Sequence, residues 1–181
     1  MTMLAMVLAA GLAVSAPHQG SGCALAMPAR CRDTNALIWA KETEGAIRAF
    51  LGNRRADLLY RGHSVADQAI DALGGPPDEP SRIGPYWRFT ACRAHSCGEK
   101  GALVATPNGT IVAIAILHGR CSAPSPGNDC FAHDTLTLYT RHAGPDVVRN
   151  LRDWGAAQAK REGSVAGLRA ITLDGVEVVP L

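Results

Sequence analysis

The chain lacks an excess of charge. Its 181 residues carry 18 Lys and Arg against 16 Asp and Glu, a net of +2, and charged residues make up 19% of the whole. So small a positive balance excludes the basic footprint of a nucleic-acid binder. At 47% hydrophobic residues the sequence is too apolar for a disordered chain. It has no Gly-x-Ser-x-Gly, no His-Glu-x-x-His and no phosphate-binding loop. A familiar hydrolase or nucleotide site is therefore not indicated, and no cofactor or metal is expected. Nor is there an apolar run long enough to span a membrane. The run from Leu4 to Ala16 is too short. It ends in the small residues Val14-Ser15-Ala16, as a signal peptide does before its cut. A lipid anchor at Cys23 is not expected, because Gly20-Ser21-Gly22 stands where an aliphatic residue is wanted. No internal repeat breaks the chain up, and its length suits one core rather than two.

What the sequence does have is six cysteines behind that export signal. They point to an oxidising space, periplasmic or extracellular, with up to three disulfides. Spacing favours local pairs: Cys92–Cys97, Cys121–Cys130 and Cys23–Cys31. The segment between Cys121 and Cys130 holds Ser122, Pro124, Ser125, Pro126, Gly127 and Asn128, which is loop chemistry.

Residues 1–16 are read as the signal peptide, 17–32 as an irregular lead-in and 33–181 as one domain. A helix is expected after Asp33 or Thr34, either of which can cap it. It would carry Leu37, Ala40, Ile47, Phe50 and Leu51 inward and stop at Gly52-Asn53. Ser64 caps a second, short helix that Gly74-Gly75-Pro76-Pro77 ends. Residues 74–85, rich in Pro and Gly, read as loop. Strands follow over 86–92, 101–106, 110–117 and 135–141, with Pro107-Asn108-Gly109 as a hairpin turn. Thr110–Leu117 is apolar on both faces and is expected at the centre of the sheet. Pro145 opens a helix over 145–162, in which Gly155 is a weak point. Leu168–Leu173 and Val176–Val179 are expected as a final hairpin turning at Asp174-Gly175. The fold class is α+β: an antiparallel sheet of five to six strands with helices packed on it.

The chain is organised around Phe89-Thr90-Ala91-Cys92-Arg93-Ala94-His95-Ser96-Cys97-Gly98, between two strand-like runs. If Cys92 and Cys97 pair, the four residues between them become a small closed turn with His95 at its tip, flanked by Arg93 and Ser96. A stiff, exposed, polar tip can enter another protein's cleft, since much of its ordering precedes binding.

The run Cys-Arg-Ala-His-Ser-Cys-Gly resembles the loop of the Ivy family, bacterial periplasmic inhibitors of vertebrate (c-type) lysozyme, which reads Cys-Lys-Pro-His-Asp-Cys-Gly. The match takes in both cysteines, the basic residue, the His and the Gly. It departs at Ala94, where the family has Pro, and at Ser96, where it has Asp. The resemblance extends over roughly residues 60–118, including Tyr60-x-Gly62-His63-Ser64-Val65. It implies an exported protein that does no chemistry itself and blocks a lysozyme cleft with Arg93, Ala94, His95 and Ser96. Such a lysozyme cleaves a glycosidic bond between two facing carboxyls, and a protonated imidazole can donate to both. The implied target is a basic protein. This chain's near-neutral balance gives weak long-range steering unless its acidic residues cluster locally.

A competing reading makes Cys92, His95 and Cys97 a metal-binding or thiol-active site, since thiolates and imidazole suit zinc or copper. No nearby fourth ligand is evident, and the spacing is not Cys-x-x-Cys. His63 and His118 are expected to be structural, and His133 and His142 have no partner spacing.

Overall fold

The computed structural model describes residues 22–119, 133–165 and 172–181. The expected signal peptide, the Cys121–Cys130 pair and most of the strand expected over Leu168–Leu173 lie outside these residues.

The chain enters through a segment tied by a Cys23–Cys31 disulfide, with Cα atoms 4.6 Å apart. Leu25 is buried in the core, and a one-turn 3₁₀ helix spans Pro28–Arg30. From residue 22 onward the lead-in is therefore packed onto the domain. Helix α1 (Thr34–Ile38) is capped by Asp33, whose carboxylate accepts from the Ala36 N–H at 2.7 Å. The single helix expected here is broken. Trp39 closes α1, Ala40 is extended, and α2 (Lys41–Leu51) begins anew. No Gly or Pro marks the break. Leu37, Ile38, Ile47, Phe50 and Leu51 face the core from the two pieces, while Glu44 and Arg48 stay on the outer face of α2 as an i,i+4 ion pair.

Two short strands, β1 (Arg55–Ala56) and β2 (His63–Ser64), pair antiparallel. Ser64 then caps α3 (Val65–Leu73) by accepting from the Asp67 N–H. Val65, Ala66, Ala69, Ala72 and Leu73 recur at helical spacing and are all buried. Gln68 is fully buried among them. Its side-chain oxygen accepts from the N–H groups of Leu59 and Tyr60, and its nitrogen donates to the carbonyls of Ala56 and His63. One side chain thus satisfies four backbone groups of the β1–β2 connection.

The main sheet has six strands in sequence order: β3 (Ser81–Ile83), β4 (Tyr86–Arg93), β5 (Ser96–Ala105), β6 (Ile111–Gly119), β7 (His133–Thr140) and β8 (Thr172–Pro180). Every pairing is antiparallel except β7–β8, which is parallel. Part of the stretch expected as loop is β3, and before it Gly75, Pro76 and Asp78 bond to the Thr90 and Cys92 backbone. The hairpin at Asn108-Gly109 forms between β5 and β6 as expected. The second, at Asp174-Gly175, does not. β8 runs straight through it, with Asp174 left over as a bulge. Helix α4 (Pro145–Val165) is the crossover that brings β8 to the outer edge of β7, and a crossover gives a parallel pair.

The sheet is covered on both sides, and β6 is buried throughout from Ile111 to His118. Phe89, Leu103, Ile114, Ile116 and Tyr139 pack against α1–α3 on one face. Val104, Ala113, Leu117, Leu136 and Leu138 pack against Val147, Leu151 and Trp154 of α4 on the other. Each fully buried Leu or Ile removed from water is worth about 1.5–3 kcal/mol. At Gly155 α4 sits close against the sheet: a Cβ there would stand 2.8 Å from Leu136. Its cost in helix propensity is offset by this close packing. Among the described residues, no helix is long and apolar enough to cross a membrane.

Candidate functional site

The Cys92–Cys97 loop is the tip of the β4–β5 hairpin. The disulfide is formed, with Cα atoms 4.7 Å apart. The turn is tighter than the four residues expected. Arg93 pairs with Ser96 as the last rung of the ladder, and the turn proper is Ala94-His95. On the β5 side Cys97, Gly98 and Glu99 bulge out before Lys100 pairs with Cys92. Ala94 and His95 are exposed, while Arg93 and Ser96 are half-buried.

His95 sits at φ +64°, in the left-handed region. Few residues other than Gly go there, but His does so more readily than most. The strain is held by the disulfide on both sides and by the strand beneath. Gly75 sets the base of the loop. Its N–H donates to the Cys92 carbonyl at 3.0 Å, and the Cys92 N–H donates to the Pro76 carbonyl at 3.1 Å. A Cβ at position 75 would lie 2.3 Å from the Cys92 oxygen and 2.5 Å from the Ala94 nitrogen. Only Gly lets this segment lie so close against the loop.

Arg93 is engaged within the chain. Its guanidinium bonds to Glu99 across the bulge and stacks over Tyr60, 4.7 Å from the ring centre. The hydrogen bond to Glu99 raises its pKa further above the ordinary value. Tyr60 in turn donates to Asp71 at 3.0 Å, and its ring lies 5.2 Å from that of His63. Partial burial, with the bond to Asp71, pushes the phenol pKa up. The chain Asp71–Tyr60–Arg93–Glu99 thus props the loop from α3. The Gly-His stretch at 62–63 contributes to that prop, with His63 exposed on β2.

On the sheet face covered by α4, at the same end as the loop, a second group of charges gathers. Lys100 pairs with Glu162 of α4 at 3.3 Å. Asp134 is only 5% exposed, and its pKa is pushed up to about 6. Burial is the main cause, followed by the carboxylates of Glu162, Asp174 and Glu99, with Lys100 opposing them. Elsewhere His118 is buried, its Nε2 3.1 Å from the Thr137 hydroxyl, in keeping with a structural role.

The sequence singled out Cys92, Arg93, Ala94, His95, Ser96 and Cys97, and these six stand together. It missed Tyr60, Asp71, Gly75 and Glu99 as the loop's supports. Gly75 carried a signal, the Gly-Gly-Pro-Pro run, but it reads only as a helix stop. Among the described residues no group of three His, Cys, Asp or Glu side chains is placed to hold a metal ion. No protein-family model matches the chain, nor does any curated protein or solved structure.

Proposed function

We propose that the protein is an exported inhibitor of a lysozyme-type glycosidase, c-type first, acting from the periplasm or outside the cell. It blocks the target's cleft with the loop closed by Cys92 and Cys97. One observation carries the reading: an imidazole held in a left-handed turn at an exposed, disulfide-closed tip. Strained backbone that the surroundings over-determine is a mark of a working site. Here it leaves His95 exposed at the tip of the strands that hold it. An imidazolium presents two N–H donors on opposite sides of a small ring, which matches a cleft lined by two carboxyls.

Three further features support it. The Arg93–Tyr60 stack stiffens the loop before binding, which lowers the ordering cost. Glu99, Asp134, Glu162 and Asp174 gather at the loop's end of the sheet against Arg93 and Lys100. Asp174 is exposed among them, and its charge has the sign that favours a basic target. The bonded state of Cys92 and Cys97 also favours this reading over a thiolate site built with His95.

The test is a titration of the oxidised protein against c-type, g-type and i-type lysozymes. Stoichiometric loss of c-type activity is expected. Full activity of all three at micromolar excess of the protein refutes the proposal.

A further inference from the structure

Trp39 is 72% exposed, far more than Met27 at 41% or Val178 at 37%, the other large apolar side chains left in water among the described residues. Its position follows from the break between α1 and α2. Its N–H is held by the Asn35 carbonyl at 3.0 Å, and the extended Ala40 turns the chain away behind it. The indole forms a wall shared by two open clefts. One, of about 750 Å³, runs back over Arg32, Asp33 and Pro77. The other, of about 570 Å³, is lined by Tyr60, Asp71, Lys41, Arg93 and Ala94 and so reaches the loop itself.

The charges in the second cleft are unequal in their engagement. Glu44 is held by Arg48, Asp71 by Tyr60 and Arg93 by Glu99. Lys41 is exposed, and no described side chain pairs with it. The cleft therefore offers a bare indole, a braced Tyr–Arg stack and one cation that no described side chain pairs with. Trp, Tyr and Arg are the residues that most often carry the binding energy of protein interfaces. An exposed indole contributes little to this fold, whereas covering one removes a large apolar area from water.

We propose that Trp39 is a second anchor for the loop's target. The inference rests on the inhibitor reading: the protein that takes His95 into its cleft lays the rim of that cleft against Trp39. The rim contributes an apolar side chain that packs on the indole, beside a carboxylate that meets Lys41. Because one cleft joins Trp39 to Ala94, a single partner surface of ordinary size covers both.

The experiment compares parent, Trp39→Ala, Trp39→Phe, Lys41→Ser and His95→Ala as full-length oxidised proteins. It measures the affinity of each for c-type lysozyme by calorimetry, with a thermal melt of each. Trp39→Ala is expected to weaken binding roughly thirtyfold with its melt unchanged. Trp39→Phe should keep most of the affinity, and Lys41→Ser should lose severalfold, with a shallower salt dependence. A Trp39→Ala protein that binds like the parent while His95→Ala does not overturns the second anchor and leaves the inhibitor reading standing. A parent that binds no lysozyme overturns both.

Discussion

Replacing Asp134 by Asn should stabilise the protein at neutral pH and do almost nothing in acid. Asp134 is buried on the α4 face of the sheet, where Glu162, Asp174 and Glu99 all act against its ionised form and Lys100 only partly compensates. Its pKa rises from 3.8 to about 6 on folding. At about 1.36 kcal/mol per pKa unit, ionised Asp134 costs the fold about 3 kcal/mol. The direction follows from linkage. The folded state binds this proton more tightly than the unfolded state does. The stability it contributes is full below about pH 3.8 and is lost as the pH rises through about 6. Asn keeps the size of the side chain and cannot ionise. The gain from Asp134→Asn should therefore be near zero at pH 3.5, grow across that window and level off above about pH 7. For a chain of this length, about 3 kcal/mol corresponds to roughly 6–12 °C in melting temperature. Paired melts of parent and variant at pH 3.5, 5, 6 and 8, with disulfides intact, measure it. An equal gain at every pH would mean that packing rather than charge is responsible. No gain at pH 8 would mean that Asp134 is not strained in its ionised form, and the reasoning would fail.

Other outcomes are expected around the loop. His95→Ala should weaken lysozyme binding roughly thirtyfold, as loss of a central desolvated contact does. His95→Gly should weaken it as much while leaving the melting temperature level or higher, because Gly is at ease at φ +64°. Unimpaired inhibition by either variant would remove His95 from its role. Gly75→Ala should cost binding as well as stability, since its Cβ collides with the Cys92 and Ala94 backbone and must displace the loop. An unchanged melt and unchanged inhibition would contradict that packing. Replacing Cys92 and Cys97 together by Ser should reduce binding more than stability, because so short a ring restrains the unfolded chain little. Peptide mapping of the native protein should join Cys92 to Cys97 and Cys121 to Cys130. Any other partner for Cys92 would end the closed-loop model.

Elements whose causes are local are legible in the sequence. Asp33 and Ser64 cap helices with their own side chains. Gly74-Gly75-Pro76 stops α3, the turn at Asn108-Gly109 joins β5 to β6, and the double-sided apolar run of β6 marks the sheet's centre. The sequence also brings out the loop, because two cysteines so near each other leave the residues between them no choice but a turn. Tertiary structure decided whatever depends on partners far along the chain. Asp174-Gly175 has the same turn chemistry as Asn108-Gly109, yet β8 passes through it, because its pairing partner is β7, across α4, and not its own neighbour. The break at Trp39-Ala40 has no signal of its own. Leu37 and Ile38 on one side and Ile47, Phe50 and Leu51 on the other all reach one core, and Trp39 is left outside. Arg93 reads as a free cation beside His95 until Tyr60 and Glu99 arrive from other elements to hold it. Asp134, just before the strand expected from Thr135, carries no signal in the sequence, and only the assembled fold surrounds it with carboxylates from α4, β8 and β5. Short-range sterics and backbone hydrogen bonding can be read residue by residue, whereas burial and electrostatics belong to the assembled neighbours.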